Sequence, residues 1–305
     1  MRKIFVFFIL ILFLSGCDIG NQSAKISDEE YHTGTEGLVM EFIDNMPPEK
    51  VYETDTFPVG LKLENKGAYD IKNGFLLLNI EQDNLDLEKG SLKRSLDIDG
   101  KSISNPYGES QTISYLLKAN ELGKETETMT STIIATECYQ YKTEFLKTVC
   151  VDTDFYNLKK VTKACSSEDI ESEEGQGSPV YISKVESKMM EEDNILKPTF
   201  IIYIANSGNG QVISSDSVSA ACSETGFNRE DVNYIKVSSF FASEGASLIC
   251  KPDSVKLKDN IAVVRCVYED GIDKNKESYS TLLKIELDYG YTQTISKSLQ
   301  IIGGI

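Results

Sequence analysis

Val59-Gly60-Leu61-Lys62-Leu63-Glu64-Asn65-Lys66-Gly67 is matched by Phe200-Ile201-Ile202-Tyr203-Ile204-Ala205-Asn206-Ser207-Gly208, position for position, 141 residues further on (65 to 206, 67 to 208). Leu61-Lys62-Leu63-Glu64 alternates apolar and polar, the period of a half-buried strand. Asn-x-Gly then supplies residues that tolerate a turn. Each run has an apolar companion upstream, Leu38–Ile43 in the first half and Val180–Val185 in the second. Each also has a Tyr-x-Tyr downstream, Tyr139-Gln140-Tyr141 and Tyr289-Gly290-Tyr291, 150 residues apart (139 to 289). The Tyr-x-Tyr follows a β-prone run (131–136, 282–287) and precedes another (145–151, 294–302). Three landmarks in one order read as two copies of one unit.

Phe75–Ile80, Gln111–Lys118, Tyr234–Phe240 and Ile261–Tyr268 supply further strands, rich in Val, Ile, Thr, Tyr and Phe. About seven strands per half, with turn residues between them, predict an all-β chain of two tandem antiparallel β-sandwiches. Helical signals are few: one turn near Asn228–Asp231 and a short helix over Phe155–Ala164. The expected layout is a leader over 1–16, a tether over 17–36, a sandwich over 37–155, a connection over 156–179 and a second sandwich over 180–305. Gly175-Gln176-Gly177-Ser178-Pro179 is the expected hinge.

The leader is read from Met1-Arg2-Lys3, an apolar run from Ile4 to Leu14, and Leu14-Ser15-Gly16-Cys17. A basic start, a short apolar run and small residues before a cleavage point describe a secretory signal. The run is shorter than the roughly 20 residues a spanning helix needs. Leu-Ser-Gly-Cys in this position resembles the signal of prokaryotic lipoproteins, which implies that Cys17 carries lipid and that the chain is cut before it. Asp18–Glu36 is polar and would span roughly 25 Å as a flexible coil. The expected location is the extracytoplasmic face of the cell membrane.

Strands closing in Asn-Lys-Gly or Asn-Ser-Gly, followed by a Tyr-x-Tyr hairpin, resemble the immunoglobulin-like repeats of archaeal cell-surface proteins, of the CARDB and S-layer-associated kind. Cys138–Cys150 and Gly175–Pro179 are similar to segments of uncharacterised surface lipoproteins. The resemblance implies an immunoglobulin-like surface sandwich serving as spacer, envelope component or adhesion module, with an envelope protein as partner. It carries over no catalytic residue.

The chain has 305 residues and a net charge of −17, which becomes −19 once Arg2 and Lys3 leave with the leader. Such a chain is repelled by nucleic acid. Besides Cys17 there are six cysteines: Cys138, Cys150, Cys165, Cys222, Cys250 and Cys266. An even number behind a secretory signal predicts disulfides. Local spacing suggests Cys138–Cys150 and Cys250–Cys266, leaving Cys165–Cys222. With the boundary after Cys165, each half holds three, so full pairing requires at least one bridge between halves.

The single histidine, His32, lies in the expected tether, a poor place for the base of a nucleophilic pair. One histidine also rules out multi-His metal sites. Gly208-Asn209-Gly210 lacks the remainder of a phosphate-cradling motif and reads as a turn. Weak calcium candidates are Asp97 and Asp99, and Asp273, Asn275 and Glu277, neither set with full EF-hand spacing. No cofactor and no catalysis are expected. The rival readings are a lipid-anchored solute-binding protein, which usually needs α/β lobes, and a hydrolase using paired carboxylates.

Overall fold

Alternating burial along the strands builds the molecule. The computed structural model describes residues 31–158, 162–223 and 229–304 and is 59% strand and 4% helix. The first half contains β1 (Leu38–Phe42), β2 (Lys50–Tyr52), β3 (Thr56–Asn65), β4 (Ile71–Ile80), β5 (Leu85–Lys89), β6 (Lys93–Ile98), β7 (Ser110–Ala119) and β8 (Thr128–Val151). The second contains β9 (Ile170–Glu171), β10 (Val180–Glu192), β11 (Ile195–Asn206), β12 (Gln211–Ile213), the one-turn helix α1 (Val218–Ala221), β13 (Tyr234–Phe241), β14 (Ala246–Lys251), β15 (Ser254–Lys256), β16 (Ile261–Val267), β17 (Ile272–Asp273) and β18 (Tyr279–Ile302). The all-β sandwich expectation holds. In β3 the inward Phe57, Val59, Leu61 and Leu63 are all at most 3% exposed, the burial that drives sheet packing at about 25 cal/mol per Å² of apolar surface.

In the first half β1-β3-β7-β5 forms one sheet and β6-β4-β8 the other. In the second, β10-β11-β16-β14 and β15-β13-β18 repeat these pairings in the same chain order. The duplication is therefore structural. The copies are also fused. β8 and β18 pair antiparallel over all their length, from Thr128↔Ile302 to Val151↔Tyr279. The first part of β8 pairs with β4 of its own half, and its last part (141–151) pairs with β18 beside the second half's β13. β18 does the reverse. Each long strand serves its own sandwich and then lends an outer strand to the other.

The register puts Gln140 opposite Gly290, with Tyr139↔Tyr291 and Tyr141↔Tyr289 on either side. A pseudo-twofold axis passes between the central residues of the two Tyr-x-Tyr motifs. All four tyrosines are at most 2% exposed, and their rings lie 5.5–6.5 Å apart around the axis. The spacing suits edge-to-face aromatic packing. Each outer tyrosine reaches the Asn-x-Gly turn of its own half. Tyr141 donates to Asn65 Oδ1 and Tyr291 to Asn206 Oδ1, at 3.3 and 3.4 Å. Each accepts a backbone N–H, from Tyr69 and Gly210 respectively. A Cβ on Gly67 or Gly208 would stand 1.8 or 2.1 Å from the tyrosine oxygen, so neither position has room for a side chain. Leu38 N donates to Tyr139, and Val180 hydrogen-bonds Tyr289 likewise.

Several expectations need correction. The pairings are Cys138–Cys222, Cys150–Cys165 and Cys250–Cys266. Cys138–Cys150 fails because the two sit on one continuous strand, not on the arms of a hairpin. Cys165 follows β8 closely enough to fold back on Cys150, so Cys165–Cys222 fails too. The bridge required between halves is Cys138–Cys222. The expected hinge is packed rather than free: Gln176 and Ser178 are buried, Gly177 O accepts from Ala68 N, and Gly34 bridges Gly175. Residues 31–36 join the body instead of the tether, with Gly34 N bonded to Glu174 O at 2.6 Å. Of 155–164 the described residues form no helix, only the end of a turn at 155–156, and Arg229–Asp231 is a single 3-10 turn.

Candidate functional site

Among the described residues, the outward face of the β8–β18 ribbon is covered in one half and open in the other, although the axis makes the two faces equivalent. The covering segment follows β11. In the first half the corresponding loop is short (66–70), whereas in the second it runs from 207 to 233 and carries β12 and α1. β12 pairs with Gly290–Thr292. Ile213, Val218 and Cys222 form a small buried cluster with Cys138, against Phe75 and Leu77. Gly290 permits this approach, since a Cβ there would lie 2.5 Å from Val218. Gln140, its partner on the axis, donates to Ser215 O at 3.0 Å. The central residues of the two Tyr-x-Tyr motifs therefore differ because one lies under the cover and the other ties it down.

The open face is built in rows across β8, β18 and β13: Lys142, Asp288 and Lys236, then Glu144, Glu286 and Ser238, then Leu146, Lys284 and Phe240. Glu144 and Glu286 are direct cross-strand neighbours, a destabilising pair if left alone. Lys142 and Lys284 bridge them. Lys284 lies 3.3 Å from Glu144 and 2.8 Å from Glu286, and Lys142 lies 3.9 and 3.5 Å from the same two. Burial disfavours charge on Glu286 and Lys284, but their mutual hydrogen bond and the neighbouring charges outweigh it. Glu286 is held below the usual carboxylate range and Lys284 above the usual amine range. For Asp288 burial wins and its pKa rises. Lys284 also stands 5.7 Å over the Phe240 ring.

Two hollows open onto this face. One of about 580 Å³ has Leu146, Leu282 and Ala242 along its floor and Tyr31–Thr33 and Glu174–Gln176 on its walls. The other, about 390 Å³, is polar and gathers Lys72, Lys142, Lys236, Asp70 and Asp288. His32 lines the first hollow, packed edge-on against Tyr31 at 4.3 Å.

The residues singled out from sequence do not converge. Cys17 lies outside the described residues. Asp97 Oδ1 accepts from Asn73 N, and Asp99 pairs with Lys72. Asp273 Oδ1 accepts from the backbone and side chain of Asn275, closing its own turn, and Glu277 is exposed. Among the described residues no three His, Cys, Asp or Glu side chains are grouped to hold a metal ion. No described helix is long and apolar enough to cross a membrane. Sequence reasoning missed Glu137, fully buried with neither carboxyl oxygen hydrogen-bonded. It also missed buried Asp152, which meets Lys163 at 2.7 Å and accepts from Asp154 N and Ser278 Oγ. A signal existed for Glu137: it is in phase with Ile133, Ala135, Tyr139 and Tyr141 along one strand.

No family model matches the chain, and no curated protein matches it. Similar solved structures include the secreted serine protease VesC from Vibrio cholerae, at 10% identity and TM-score 0.21, over 83% of this chain and 50% of that one. Another is a DUF4466 family protein from Parabacteroides merdae, at 8% identity and TM-score 0.17, over 83% and 99%. A third is the CupB6 tip adhesin from Pseudomonas aeruginosa, at 9% identity and TM-score 0.14, over 89% and 97%. The chain thus spans half the length of the protease. Similarity this low defines no shared fold.

Proposed function

We propose that this chain is a membrane-anchored cell-surface lipoprotein with a structural or partner-binding role rather than a catalytic one. The observation that carries the reading is Leu14-Ser15-Gly16-Cys17 placed directly after an apolar run with a basic start. Three disulfides accord with an oxidising compartment. A double sandwich presenting one charge-laddered face that the described residues leave uncovered accords with a surface that meets another protein.

The test is intact mass and membrane fractionation of the natively expressed protein beside Cys17→Ser. The wild type is expected in the membrane fraction with added lipid mass, starting at residue 17, while the variant carries no lipid. A wild type that is soluble and unlipidated overturns the anchor and reopens the secreted-hydrolase reading.

A further inference from the structure

We infer that the open face of the β8–β18 ribbon is where a second copy of this chain docks. Two copies of a chain with net charge −17 repel one another over most of their surface. This face differs. Lys142, Lys236 and Lys284 are set against Glu144, Glu286 and Asp288, so the patch is neutral and its signs are interspersed over three strands. A twofold contact brings one patch against itself, and a patch of mixed, balanced sign can be self-complementary where a patch of one sign cannot.

Beside the ladder the face turns apolar. Leu146 is 48% exposed and Leu282 37%, at the floor of the hollow of about 580 Å³. The charges around that hollow also balance, Lys147 and Lys284 against Glu144 and Glu174. An apolar centre with a polar rim is the anatomy of a protein contact. The fold already shows the equivalent face of the other half buried, under β12 and α1. Docking of a second copy gives the open face a cover in trans. The inference does not depend on lipidation of Cys17.

The test is sedimentation equilibrium of the purified full chain in density-matched detergent, over a range of concentration. The wild type is expected to dimerise. Leu146→Glu and Lys284→Glu should each raise the dissociation constant by about tenfold or more. Val263→Glu, at an exposed apolar position on the far sheet, should leave it unchanged. Circular dichroism checks that each variant is folded. Should Leu146→Glu or Lys284→Glu fail to fold, Leu282→Glu, at the other exposed leucine of the same face, reads the same contact. A wild type that stays monomeric to about 100 µM overturns the proposal. So does a dimer that neither the folded face variants nor Leu282→Glu weakens.

Discussion

Glu137 sits across from Gln293, on the inner side of β8, with Tyr139 two residues along and Tyr291 diagonal to it. Its carboxyl is fully buried and has no hydrogen-bond partner, so burial pushes its pKa well above the ordinary value and the group stays protonated. The folded chain therefore keeps a proton that the unfolded chain releases once the pH passes the usual carboxylate range. Stability should fall as pH rises through that window, by up to about 1.4 kcal/mol per pH unit until the folded group itself ionises. Glu137→Gln removes the effect. Urea unfolding at about pH 4, 6 and 8 should show wild type and variant nearly alike at the lowest pH, with the variant gaining as pH rises. A constant difference across the series would mean that Glu137 is not held neutral. Among the tyrosines the same burial raises pKa values, to about 12 for Tyr291, so the cluster at the axis is uncharged under any ordinary condition.

The strand pattern was open to sequence reading because its landmarks touch. Asn65 and Tyr141, like Asn206 and Tyr291, are hydrogen-bonded partners, so a motif pair far apart in the chain is one contact repeated twice. Strand alternation carried most of the sheet for the same reason: burial is local to each strand. The open face was not legible. It depends on what the 207–233 segment covers and what the 66–70 loop cannot reach, and no local pattern encodes an absence of cover. The cysteine pairing failed for a related cause: Cys222 lies in that covering segment. Its bridge to Cys138 spans 84 residues, against 15 for Cys150–Cys165 and 16 for Cys250–Cys266. By loop-closure entropy the long bridge contributes about 4–5 kcal/mol and each short one about 3. A Cys138→Ser/Cys222→Ser double variant should thus lose more in chemical denaturation than Cys250→Ser/Cys266→Ser. It should also expose the covered face to amide exchange at Gly290–Thr292, where β12 pairs. Equal losses would show that the cover is held by packing alone.

At the scale of the molecule the two sandwiches are unfinished without one another. Residues 180–304 alone would lack the 141–151 stretch of β8 that flanks β18, and residues 37–158 alone would lack the 290–302 stretch of β18. Neither half expressed by itself should give a dispersed amide spectrum, while the full chain should unfold in a single transition by fluorescence and circular dichroism. Two resolved transitions would contradict this.

Strand exchange about an axis also sets a limit on growth. Beads on a string can be multiplied, because each new module brings its own complete set of strands and asks nothing of its neighbour but a linker. Here the first copy lends a strand to the second and the second returns one, so the debt is settled within the pair and, among the described residues, no outstretched strand remains to receive a third copy. Lengthening by simple repetition, the usual way a surface array gains reach, is closed to this architecture.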